Sequence, residues 1–176
     1  MLQGFRGKFP RVDPSAYVHP MATLIGDVEV GPGASIWPSA VLRGDDGPIV
    51  IGANTSIQDG TVIHMTEGRS RTTVGARVTV GHQVILHGCT IGDDCLIGMG
   101  SCLLDNAVVE DWGFVAAGTL VAPGKRVPSG QLMMGNPGKL VRALTDTDRE
   151  WITYSWNAYL RRSREYMAEA QAPGGG

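Results

Sequence analysis

A six-residue period governs most of this chain. Taking Val12 as position 1, the successive position-1 residues are Val12, Val18, Leu24, Val30, Ile36, Leu42, then Ile51, Ile57, Ile63, then Val74, Val80, Leu86, and then Ile91, Ile97, Leu103, Val109, Val115, Val121 and Val127. All are Val, Ile or Leu, types that make up only about a fifth of the chain. Position 5 is small nearly throughout: Ala16, Ala22, Ala34, Ala40, Thr61, Val78, Cys95, Ser101, Ala107 and Gly113. Such a period describes a prism with three flat faces. Each unit supplies one short strand and one corner, so about 18 residues complete a coil. Position-1 side chains fill the axis, and small residues let the chain turn. Coils stacked at the ~4.8 Å spacing of neighbouring strands, about six of them, form a column roughly 30 Å tall.

The period slips three times. The chain gains three residues between Leu42 and Ile51, gains five between Ile63 and Val74, and loses one between Leu86 and Ile91. Both gains follow a third strand, so two loops, Asp45–Pro48 and Thr66–Thr72, leave from one corner. Loops on a regular scaffold are where function is commonly placed. After Val127 the repeat fades. Gly135-Asn136-Pro137-Gly138 is turn chemistry. Thr147-Asp148-Arg149-Glu150 then reads as a capping box opening a helix to about residue 170, with an apolar stripe of Ile152, Trp156, Tyr159, Leu160 and Met167. The expected architecture is therefore all-β. Residues 1–134 form a parallel β-helix domain, and residues 135–176 form a turn and a C-terminal helix packed on it, ending in a short flexible tail from Ala172.

Composition narrows the partners. The net charge is −2 with no basic run, which offers nothing to nucleic acid or an anionic membrane surface. No stretch of about 18 apolar residues suits a membrane span. The N-terminus lacks the apolar core of a signal peptide, and three cysteines (Cys89, Cys95, Cys102) are an odd number without CxxC spacing. They read as reduced, buried residues of a cytoplasmic protein.

The register also places the histidines. His64 and His87 occupy position 2 of third-face units in successive coils, so they stack directly and point outward. Two imidazoles so placed can converge on one metal ion. His82 is position 3 of a second-face unit and projects elsewhere, as if to complete the site of a neighbouring chain. Prisms packed about a threefold axis would make three such shared sites. Arg43 lies below His64 in the same column. Asp59 lies below His82, with Gln58 beside it, and Asp45 follows Arg43 closely enough to hold its guanidinium. In a trimer the Arg43 column would face the Asp59 column. His19 reads as an ordinary surface residue.

These residues resemble those of the γ-class carbonic anhydrases and related proteins. The matching segments are Arg43-Gly44-Asp45, Gln58-Asp59-Gly60, His64, Val80-Gly81-His82 and Leu86-His87-Gly88-Cys89-Thr90-Ile91-Gly92. The resemblance implies a left-handed coil and a homotrimer. It implies zinc, with iron or cobalt as alternatives, bound by His64 and His87 of one chain and His82 of the next. It further implies that Arg43, Asp45 and Asp59 organise the interface, that Gln58 orients the reacting hydroxide, and that Tyr159 lies near the metal. The long acidic loop of the prototype is replaced by the short Thr66–Thr72 segment, leaving Asp46 or Glu67 as candidates for proton export. The activity implied is reversible hydration of CO₂ to bicarbonate. Alternatives are hydrolysis of an acyl-CoA thioester by the same centre and a metal-stabilised trimeric scaffold without turnover.

Overall fold

The computed structural model describes residues 1–172, and the proposed tail lies almost wholly outside them. The chain winds into stacked parallel coils, and the stacking follows the six-residue register. On the first face Val12 pairs with Val30, Val30 with Ile51, Ile51 with Val74, Val74 with Ile91, Ile91 with Val109, and Val109 with Val127. The second and third faces continue in the same way, with Ile36↔Ile57↔Val80↔Ile97 on one and Leu42↔Ile63↔Leu86↔Leu103 on the other. Every position-1 residue from Leu24 to Val127 is at most 1% exposed. The core is thus a single axial file of aliphatic side chains, closed by Ala22, Ala34, Ala40, Thr61, Cys95 and Ala107 at the corners. Close-packed branched side chains of this kind supply the burial that offsets the ordering of so many short strands.

The corners have a second requirement that position 5 does not reveal. Position 4 adopts a left-handed backbone in unit after unit, at Gly60 and Gly100 but also at Ser39, Asn54, Arg77, Gln83, Asp94, Asn106 and Trp112. The stacked hydrogen bonds over-determine the corner, so even residues that ordinarily avoid this region are held there.

Four features differ from the sequence expectation. Asp45–Pro48 is not a free loop: the strand Val41–Ile51 runs through it, and the extra residues are absorbed as an irregularity opposite Gly26/Val28. The repeat runs one unit beyond Val127, because Met133 stacks on Val115 and is 4% exposed. Methionine fills the axial position that an aliphatic count overlooks. A further strand, Lys139–Ala143, folds back antiparallel on Gln131–Met134. The helix spans Asp146–Gln171 and its N-cap is Thr145, two residues earlier than expected, in a capping box with Asp148. Arg142 favours this earlier start, since its guanidinium also reaches the Asp148 carboxylate.

The helix lies along the second face. Ile152 is buried, and Tyr159 and Tyr166 meet Trp37 with ring centroids 5.5 and 5.4 Å apart. Cys89 and Cys95 are buried free thiols, each pushed up to about 12 by burial, and Cys102 is half-buried. Among the described residues no helix is long and apolar enough to cross a membrane.

Candidate metal centre

The strands Val62–His64 and Ile85–His87 pair in parallel, with Ile63 against Leu86 and His64 against His87. Ile63 and Leu86 point into the axis, so the next residue along each strand points out. The two imidazoles therefore sit one above the other on the third face, ring centroids 5.4 Å apart and planes at 58°.

Carboxylates hold both rings. His64 Nε2 lies 3.1 Å from Asp45 Oδ1 and 3.3 Å from Asp46 Oδ2. The ligand atoms of these three residues all lie within 4.8 Å of one another. Arg43 Nη1 donates to Asp45 Oδ2 at 2.6 Å, the own-chain clamp the sequence led us to expect. Burial works to raise the Asp45 pKa, but hydrogen bonds from Arg43 and His64 outweigh it and hold the carboxyl below the usual range.

His87 Nδ1 lies 3.2 Å from Asp105 Oδ1. Asp105 in turn accepts hydrogen bonds from Ser70 Oγ at 2.5 Å and Thr66 Oγ1 at 3.0 Å. The bond from Ser70 is the main reason its carboxyl sits below the ordinary range; partial burial opposes this, while Thr66 and His87 assist. A buried threonine braces the backbone of the same corner. Thr72 Oγ1 donates to the His64 carbonyl at 2.6 Å and accepts from the Gly88 N–H at 3.0 Å.

Sequence points to the Thr66–Thr72 loop but gives Thr66, Ser70 and Thr72 no individual role, and it does not point to Asp105. Asp105 is position 3 of the Leu103 unit, at the same corner one coil further on. Extending the column test from position 2 to position 3 on that face would have found it.

The remaining expected residues gather at a different corner. His82 follows the second-face strand Thr79–Val80, and its Nδ1 lies 3.0 Å from Asp59 Oδ2, one coil below. Gln83 N–H donates to the Asp59 carbonyl at 2.9 Å, which confirms that the two corners stack. Within one chain the partner of Asp59 is therefore His82 rather than an arginine. Gln58, Gly81, His82 and Tyr159 line one narrow groove between the helix and the second face. Burial pushes the Tyr159 hydroxyl above its ordinary pKa; nearby Arg162 opposes this and Asp59 adds to it. Of the two proton-export candidates, Asp46 stands beside His64, while the exposed Glu67 is turned toward Arg6 at 3.6 Å.

One chain thus carries two separate polar clusters. The third-face corner brings together His64, His87, Arg43 and Asp45, and the other corner brings together His82, Asp59, Gln58 and Tyr159. The donor set of the first suits a borderline divalent cation such as zinc: two imidazoles on one column, each with a carboxylate against one ring nitrogen, as metal-ligating histidines commonly have.

No family model matches the chain. It is 43% identical to the mitochondrial gamma carbonic anhydrase 1 of Arabidopsis thaliana over 171 residues, which are 94% of this chain and 62% of that protein. The chain therefore spans about three-fifths of the plant relative's length. It is also 43% identical to protein YrdA of Escherichia coli, over 95% of this chain and 94% of that one. A solved hexapeptide transferase family protein from Anaplasma phagocytophilum superposes with a TM-score of 0.90 at 42% identity, covering 94% of this chain and 97% of that chain.

Proposed function

This chain belongs to the γ-carbonic anhydrase-like family of hexapeptide-repeat proteins, and on that premise we propose that it is a cytoplasmic, metal-dependent enzyme that reversibly hydrates CO₂ at the interfaces of a homotrimer. The observation that carries this reading is the division of the expected site into two half-sites on different corners of one prism. Threefold packing lets the His82 corner of one subunit meet the His64–His87 corner of the next, giving three equivalent sites.

In this reading His64 and His87 of one subunit and His82 of its neighbour hold zinc, or iron or cobalt, which suit the same donors. When bound, the ion supplies Lewis-acid chemistry and brings the pKa of an activated water to ~7. The protein supplies orientation and proton traffic. Asp45, kept ionised by Arg43, steadies the His64 ring. Gln58 presents an amide that both donates and accepts, and so fixes the direction of a reacting water. Tyr159, its pKa raised by burial, stays protonated at neutral pH and serves as a donor. Asp46 receives the proton released by hydration and passes it to buffer.

A groove favours a second reading. It runs beside the His87 corner and is lined by Asp46, Gly47, Ser70, Thr90, Arg69 and Arg71. Its two arginines suit the phosphates of an acyl-CoA, whose thioester the same centre would hydrolyse.

Metal content measured together with stopped-flow CO₂ hydration tests the proposal. We expect stoichiometric metal and hydration well above the buffer rate, rising through an apparent pKa near ~7. Thioester cleavage without hydration would replace the first reading by the second. Bound metal with neither activity would leave a trimeric scaffold.

A further inference from the structure

We propose that Asp105 is the positioning residue of this centre: a single carboxylate that fixes both the His87 ring and the Thr66–Ser70 segment beside it. The inference rests on the reading of His87 as a metal ligand, but its evidence is local. At most corners the left-handed residue comes at position 4. After His87 it comes one residue early, at Gly88, with φ +65°. That early turn is the one-residue loss in the repeat, and it opens a notch beside the imidazole.

Asp105 fills the notch from the next coil. Its Oδ1 takes the Ser70 hydroxyl and lies 3.2 Å from His87 Nδ1, while its Oδ2 takes the Thr66 hydroxyl. Thr66 N–H donates to Ser70 Oγ at 3.0 Å, which closes the short loop on itself. The fit is tight. A Cβ on Gly88 would stand 2.1 Å from Asp105 Oδ1 and 2.2 Å from Ser70 Oγ.

The chemistry follows from what a carboxylate can do. An ionised carboxylate only accepts, so a neutral His87 must carry its proton on Nδ1. Nε2 then keeps its lone pair, free for an ion, and the ring cannot swing without breaking the bond. The same carboxylate receives both hydroxyls of the loop, so ring and loop are held by one group.

The test uses the full-length protein with D105A, D105N and a T66V/S70A double variant. Zinc affinity is measured by chelator competition, loop release by tryptic cleavage after Arg69 or Arg71 under native conditions, and the His87 tautomer by long-range ¹H–¹⁵N spectra of metal-free protein. In D105A and D105N we expect zinc binding about 10- to 100-fold weaker and faster loop cleavage, and in D105A, which leaves no acceptor for Nδ1–H, loss of the Nδ1–H form. In T66V/S70A we expect faster cleavage with the tautomer retained and zinc affinity within about threefold of wild type, since the Asp105–His87 contact remains. D105N preserves shape and carries the test if D105A does not fold. An Nε2–H tautomer in the wild type, or wild-type zinc affinity in both Asp105 variants, would overturn the proposal. If the wild type bound no metal, the anhydrase reading would fall, whereas tautomer and cleavage would still decide the role of Asp105.

Discussion

The coils from Leu42 to Ile91 and those from Ile97 to Val127 use the same six-residue unit, yet only the first group departs from it. In the second group every unit has six residues, and the corners at Gly100, Gly118 and Gly124 face open space. In the first group all three register slips fall at the corner after the third face. That corner carries Asp45, Asp46, Thr66, Ser70, Thr72 and Gly88. The axis takes no part in the difference, since Leu42, Ile63, Leu86, Ile97 and Leu103 are all 0% exposed. The position-1 file keeps its register while the corner gains or loses residues, and Ile49, Met65 and Cys89 from that corner close against it as apolar side chains. A polar site can be assembled there without a polar group entering the core.

The largest effect should come from dividing the site between chains. His64→Ala and His82→Ala homotrimers should each lose one ligand at all three sites and bind metal weakly. Unfolded, mixed and refolded together, the two variants form trimers with one interface in which the His82→Ala chain supplies His64 and His87 while its neighbour supplies His82. Such trimers should regain one metal and about one third of wild-type activity. No recovery in mixed trimers confirmed by mass would mean that the two half-sites do not meet. Sedimentation showing a stable monomer at micromolar concentration would end the shared-site reading directly.

Next in size is a cavity in the regular coils. Ile97→Ala removes most of a fully buried side chain and should cost about 2–5 kcal/mol in denaturant unfolding. Its zinc affinity, measured where the variant remains folded, should match wild type. A weakened site would show that axis and corner are coupled after all.

The register of the solenoid was legible because it repeats. A single aliphatic position recurring down the chain suffices to pair Ile57 with Val80 and His64 with His87. The local partners of the site were not legible, because they come from corners whose residues do not repeat. Asp105 is far from Thr66 in sequence and meets it only after the Gly88 turn comes early. Met133 and the strand Lys139–Ala143 escaped for a related reason: the first replaces an aliphatic in the file, and the second leaves the repeat altogether. Thr147–Glu150 fits the capping-box pattern, yet Thr145 and Asp148 make the actual pair. Pattern alone cannot choose between two overlapping threonine caps; the Arg142 side chain, already facing Asp148, does.

Two glycines with nearly the same backbone sharpen the contrast between the regions. Gly88 and Gly100 have φ +65° and +67°, but a Cβ at Gly100 meets nothing within 4 Å. Gly100→Ala should therefore show only the left-handed backbone penalty, about 1–2 kcal/mol, with metal binding intact. Gly88→Ala adds a collision with Asp105 and Ser70, so it should cost more stability than Gly100→Ala and also weaken zinc. Equal costs, with zinc binding unchanged in both, would mean that the corner after His87 is no more constrained than the others.

The smallest effect belongs to the helix, which the repeat does not hold. Its first turn hangs on Asp148, which accepts from the Thr145 N–H at 2.7 Å and from the Arg142 guanidinium. The Arg142 interaction, with help from Thr145, holds the Asp148 carboxyl well below the usual range, against a small opposing effect of burial. A carboxyl whose pKa is depressed by folding contributes stability above its unfolded value and loses it as the pH falls through the folded one. Asp148→Asn should cost about 1 kcal/mol at pH 7, the ordinary worth of a helix cap. The gap between variant and wild type should then narrow below about pH 4, as the Asp148 carboxyl of the unfolded wild-type chain takes up its proton while the folded one stays ionised. Thermal unfolding at pH 7, 5 and 3 reads this directly, with zinc affinity at pH 7 unchanged because His64 and His87 stand on another face. A gap that stayed constant down to pH 3 would mean that the Asp148 charge does not hold the helix start, and that shape alone does.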